Sequence, residues 1–189
     1  MCFTVNINLT RNALESRFGA KFRDPSSFRP GYYFNAFEIP DLPVIQAEDP
    51  ESINLVKWGL IPFWVRDSKA ASEIRLKTFN ARAETIREKP SFRGAVKSKR
   101  CLILCRGFYE WQHRGSEKIP HYIYLEGERP MAMAGVYDNW TDRDSGETGK
   151  PPQCIPPGVQ RNPGRSTGVI WARGHSPESG HPPASDCQS

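Results

Sequence analysis

The chain has 189 residues, 38% of them hydrophobic and 25% charged, with a formal net charge of +5. That size predicts one principal folded domain, and no run reaches the about 18 apolar residues of a membrane span. The basic excess suits a polyanion partner without demanding one, and the N-terminus lacks the apolar segment of a signal peptide, so a cytoplasmic location is expected.

The opening "CFTVNINL" alternates as a first strand. "TRNALESRFGAKF" follows as a helix, with Thr10 as its N-cap and Leu14 and Phe18 on one apolar face. Residues 24–43 carry several prolines and aromatics and predict a long structured loop. "PVIQAE" and "INLVKWGLIPFWV" read as strands, the second broken at Pro62. The stretch "ASEIRLKTFNARAETIREKPSF" is mixed, and "PSFRGAVKSK" reads as a short basic helix capped by Ser91. "RCLILCRGFYEWQ", "PHYIYLEG" and "PMAMAGVYDNW" are three further strands, with turns at "HRGSEK" and "EGERP". The sum is an α+β fold: β-dominated, with a barrel-like curved sheet and two or three short helices. From residue 148 onward Pro and Gly make up roughly a third of the text, a composition that predicts poor order, and only "GVIWA" reads as a strand. Residues 1–147 are therefore expected to fold, with 148–189 as a tail.

The five cysteines are odd in number and show no C-x-x-C pair or other metal-ligand spacing, so no metal is expected. Cys101 and Cys105 share one face of a strand, where a buried, inert role is the plain reading. Cys2 differs. Removal of the initiator methionine would leave it with a free amine and a thiol, whose ordinary pKa values of about 7.7–8.0 and 8.5 leave both usable at neutral pH. The amine condenses with an aldehyde to an imine, and the thiol then closes a thiazolidine. The bland alternative is a cysteine with no chemical role.

Other residues admit two readings each. Trp58 and Trp64 in "KWGLIPFW" suit either a core strand or a platform for nucleobases. Asn80, Arg82 and Glu84 in "FNARAET" share a face if the segment is extended, either as a surface ion pair or as an amide and a phosphate-binding fork. Glu110, between Tyr109 and Trp111 in "GFYEWQ", is a strand carboxylate suited to general acid–base work or simply outward-facing. His113, His121, His175 and His181 lack metal spacing, and the bland reading is preferred for each.

Taken in order, "MC", "WGLIPFW", "FNARAET" and "GFYEW" resemble the SOS-response-associated peptidase (SRAP) family, over about Cys2 to Trp140. The resemblance implies an α+β fold around a barrel-like core, single-stranded DNA bearing abasic sites as partner, and self-processing at the N-terminal cysteine. It also implies a thiazolidine crosslink to the ring-opened sugar, formed without a cofactor. Carried over by position, Cys2 is the nucleophile, Asn80 hydrogen-bonds the crosslink and Glu110 handles the amine's proton. Arg82 contacts phosphate, and Trp64 with Trp58 lines the DNA channel. A monomer is expected.

Two departures follow. The family begins Cys-Gly-Arg where this chain has Cys2-Phe3-Thr4, which removes one basic contact. Nothing in residues 141–189 matches the family's later strands or its His followed by Arg-Met-Pro, and His175 in a Pro/Gly-rich stretch is a poor substitute. The C-terminal part thus reads as missing or replaced, with a barrel lacking closing strands. Two rival readings stand beside covalent capture: a DNA-binding module without chemistry, and an inactive product of a truncated or frame-shifted gene.

Overall fold

The computed structural model describes residues 2–141, 153–155 and 157–158. In chain order the elements are β1 (Thr4–Asn6), α1 (Arg11–Phe18), β2 (Lys21–Phe22), β3 (Phe34–Asn35), β4 (Asp41–Gln46) and β5 (Asp49–Trp58). They continue with α2 (Ser68–Arg75), β6 (Ala81–Arg82), α3 (Ala95–Ser98), β7 (Arg100–Cys105), β8 (Gly107–Arg114), β9 (Glu117–Tyr124) and β10 (Met131–Asp138). β11 (Gln153–Ile155) and β12 (Pro157–Gly158) complete the described residues. The protein is α+β and sheet-dominated, as its alternating patterns predict.

Local chemistry accounts for the helix ends. Thr10 accepts a 3.2 Å hydrogen bond from the Ala13 N–H, and Gly19 closes α1 in the left-handed conformation at φ 66°. Leu14 is the buried residue of that helix. Asp67 caps α2 through the Ala70 N–H, and the helix runs into the start of the stretch the sequence leaves mixed. Ser91 does not cap the basic helix: α3 starts after Gly94 with no side-chain cap, because residues 89–94 turn without entering it.

Two curved sheets carry the fold, in the orders β3-β1-β8-β9 and β11-β10-β7-β4-β5-β2. β4 and β5 form an antiparallel hairpin. β5 ends at Trp58 rather than breaking at Pro62, because Gly59 turns the chain at φ 99°. The expected long strand "RCLILCRGFYEWQ" is two strands, one in each sheet. Arg106 makes the crossing, its N–H donating to Asn6 O at 2.8 Å and its guanidinium to Asn8 O at 3.3 Å. Gly107 follows where a Cβ would lie 2.6 Å from Ile123 O and 2.7 Å from the Tyr122 ring. The crossing needs a residue without a side chain.

Residues past 147 do not all lie outside the fold. β11 pairs antiparallel with β10 and, on its other side, parallel with β5. The backbone at 153–155 therefore joins two strands that the sequence reading left as open edges, and β12 pairs with β6. "GVIWA" lies outside the described residues. The main core takes Val5 and Phe108 from the first sheet and Leu42, Ile53, Ile103 and Leu104 from the second.

Candidate active site

Cys2 is the buried residue preceding β1, only 1% exposed, with its thiol directed at Thr4 O at 3.4 Å. Thr4 pairs with Tyr109 of β8, which brings the adjacent Glu110 to the start of β1. Burial pushes the Cys2 thiol up to about 12, and the Glu110 carboxylate adds to the rise. Cys2 therefore rests as a neutral thiol. Two of the sequence candidates, Cys2 and Glu110, act on each other electrostatically. His121, for which a bland role was preferred, stands directly opposite Glu110 in the β8–β9 register, its Nε2 3.1 Å from Gln112 Oε1.

Asn80 arrives from another part of the chain. It immediately precedes β6, half-buried, with both Oδ1 and Nδ2 removed from water and lacking a hydrogen-bond partner. The preceding residue anchors it: Phe79 is buried, and its carbonyl accepts the Trp58 indole N–H at 2.9 Å. An aromatic relay joins the two halves. Phe3, next to Cys2, stacks on Phe37 at 5.5 Å, and Phe37 meets the edge of Phe79 at 5.2 Å. A groove of about 730 Å³ opens from Asn80, lined also by Lys77, Arg82, Lys89 and Glu73. Three cations against one carboxylate suit a polyanionic backbone.

Arg82 is exposed on β6, but the period-2 face does not extend to Glu84, which lies in the turn after it. The two tryptophans part company. Trp64 is 46% exposed, whereas Trp58 is fully buried. Trp58 is thus corrected from a channel wall to a core residue: it is the buried last residue of β5, and its indole N–H holds the Phe79 carbonyl. The tip carrying Trp64 is clamped at both ends. Asp138 accepts from the Phe63 N–H at 3.2 Å and from Lys99 Nζ at 2.5 Å. The Trp140 indole N–H donates to Val65 O at 2.7 Å. In the sequence Asp138 and Trp140 are only parts of a strand, and nothing there marks Phe37 and Phe63 as exposed. A polar residue ending an apolar strand was the available signal for Asp138.

Cys101 and Cys105 are buried free thiols on the inner face of β7, as their spacing suggests. Among the described residues no group of three or more His, Cys, Asp or Glu could hold a metal ion, and no helix is long and apolar enough to cross a membrane. His175 and His181 lie outside the described residues.

The family model described as SOS response associated peptidase (SRAP) matches residues 1–154. The chain belongs to the SRAP family. A solved structure of a Bacteroides thetaiotaomicron protein superposes with a TM-score of 0.74 at 40% identity, covering 82% of this chain and 66% of that one. The abasic site processing protein YoaM of Bacillus subtilis is 44% identical over 101 residues, 53% of this chain and 43% of its own length. The abasic site processing protein HMCES of Xenopus tropicalis is 38% identical over 111 residues, 49% of this chain and 33% of its own. The match thus spans less than half the length of these two curated relatives. The SRAP match runs past residue 147 and takes in most of β11, in keeping with that strand's place in the sheet.

Proposed function

We propose that this SRAP chain processes abasic sites in single-stranded DNA by capturing the ring-opened sugar covalently through Cys2. The observation that carries the reading is the aromatic chain Phe3–Phe37–Phe79, which links the residue after Cys2, itself under the influence of Glu110, to the residue before Asn80 and its cationic groove. The names of the YoaM and HMCES relatives support the same substrate class.

The chemistry follows from the groups present. Hydrolysis of the Met1–Cys2 amide frees the Cys2 amine. That amine adds to the aldehyde carbon, and loss of water gives an imine. The thiol then adds to the imine carbon: a C–S bond forms, the sulfur's proton passes to nitrogen, and a thiazolidine results. The amine attacks first and the thiol closes second, because the ring closes only on the imine carbon. Glu110 takes up and returns protons during these steps, assistance typically contributing about 10²–10⁴-fold in rate. Asn80 offers a free donor and a free acceptor to the captured sugar. Arg82, Lys77 and Lys89 hold the phosphates, and Trp64 offers an exposed ring to a base.

A single-stranded oligonucleotide with one abasic site, run on a denaturing gel with intact mass, tests this. The expected product is Met-free protein joined to DNA with loss of one water. Cys2→Ala is expected to give none, and a surviving adduct in that variant sinks the mechanism. The burial of Cys2 favours a second reading, a module that binds single strands without chemistry. Salt-sensitive binding by folded, Met-free protein without adduct would select it.

A further inference from the structure

Phe37 belongs to the 3-10 turn Ala36–Glu38, and the residue is 60% exposed. The turn is held rigidly. Its N-terminal side is tied by Asn35 Oδ1, which accepts from the Phe37 N–H at 3.0 Å, and by the Ala36 N–H, which donates to Phe3 O at 2.9 Å. Its exit is set by Ile39 at φ 52°. The ring lies near parallel to Phe3, at 21°, and edge-on to Phe79, at 74°. An apolar ring is thus fixed in water between the residue after Cys2 and the residue before Asn80. Tyr32 and Tyr33 in the same segment are exposed as well.

We propose that Phe37 is a stacking platform for the nucleobase that directly flanks the captured abasic sugar. This rests on the reading of Cys2 as the capture residue. The occupant is argued from continuity and charge. Phe37 packs on Phe79, the next residue is Asn80, and Asn80 opens the groove carrying Lys77, Arg82 and Lys89. A ligand with flat apolar faces on a polyanionic chain meets both features, and a nucleobase beside a missing base has an uncovered face to offer. Stacking on an aromatic side chain is tolerant of base identity, so the platform reads the presence of a flanking base rather than its sequence.

The test uses the full chain and oligonucleotides carrying a tetrahydrofuran abasic analogue, which binds but has no aldehyde. 2-Aminopurine is placed on either side of it, or a second spacer replaces the flanking base. Phe37→Leu keeps apolar volume against Phe3 and Phe79 but removes the aromatic face, and its melting temperature is checked against wild type. Wild type is expected to quench 2-aminopurine on one flank. F37L is expected to lose that quench and bind about 10-fold more weakly, the lower end of one stacked base. With the spacer-flanked strand the two proteins should bind alike. Equal binding of wild type and F37L to base-flanked strands, or the same deficit on spacer-flanked strands, overturns the platform. Wild-type capture of a true abasic strand alongside such a result confines the failure to Phe37. Absence of wild-type capture overturns the functional reading and this inference with it.

Discussion

Asn80 keeps both ends of its amide away from water with no partner for either. Such a group lowers stability, since each polar atom loses its hydration and gains nothing in return. A side chain held that way is preorganised for a ligand that supplies the missing partners. Asn80→Ala is therefore expected to raise stability by about 1 kcal/mol, from removal of unsatisfied polar atoms. The same change is expected to slow covalent capture by about 100-fold, the scale of one positioned donor. Thermal melts and single-turnover crosslinking measured on the same preparations check the pair. A variant that is less stable and equally fast would refute the assignment. Glu110 and Cys2 show a different effect: burial, with a smaller push from the Glu110 carboxylate, keeps the Cys2 thiol protonated at rest.

At the scale of elements, the segment from the end of β5 to β6 positions the groove. Gly59 is its pivot. Its φ of 99° excludes ordinary side chains, and a Cβ there would lie 2.6 Å from Arg75 Cγ and 3.1 Å from the Phe79 ring. Gly59→Ala is expected to cost about 1–3 kcal/mol, the range for overpacking in a filled interior. The methyl displaces the Arg75 side chain and presses on the Phe79 ring, so the cost reaches Asn80 next to Phe79. Denaturant unfolding with DNA-binding titrations on the same variant checks this. Loss of stability should come with weaker binding, and an unchanged unfolding midpoint would contradict the packing argument. Beyond the pivot, Asp138 and Trp140 clamp the Trp64 tip from the far end of β10. Two elements distant in sequence thus set one exposed ring.

For the whole molecule, the buried thiols of Cys2, Cys101 and Cys105 make stability depend on alkaline pH. Burial pushes Cys2 and Cys101 from an ordinary 9.0 up to about 12, and pushes Cys105 up as well. Below about pH 9 folded and unfolded chains both hold these protons, and the stabilisation is complete. Between about 9 and 12 the unfolded chain releases them first, so stability falls as pH rises. Thermal melts under reducing conditions from about pH 8 to 11 are expected to show a steady decline in melting temperature. Cys101→Ala should make that decline shallower, and an identical slope would count against the burial of Cys101. The linkage of β11 to both β10 and β5 belongs to the same scale: it ties two strands of the second sheet that are far apart in the chain.

Much of this molecule could be read from its residues in order. Alternation located most strands, Thr10 and Gly19 marked a helix, and four short motifs identified the family, because these signals are local and depend on neighbours within a few positions. Pairing across long separations could not be read that way. Nothing in "RCLILCRGFYEWQ" says that Arg106 passes from one sheet to the other, since the reason lies in the carbonyls of Asn6 and Asn8. Trp58 and Trp64 look alike in sequence, yet one is sealed beneath Phe79 and the other stands in solvent. The joining of Phe3 to Phe79 through Phe37, and of residues 153–155 to β5, likewise required the folded chain. Burial and long-range contact depend on the whole chain at once, and these decided which chemically capable residues meet.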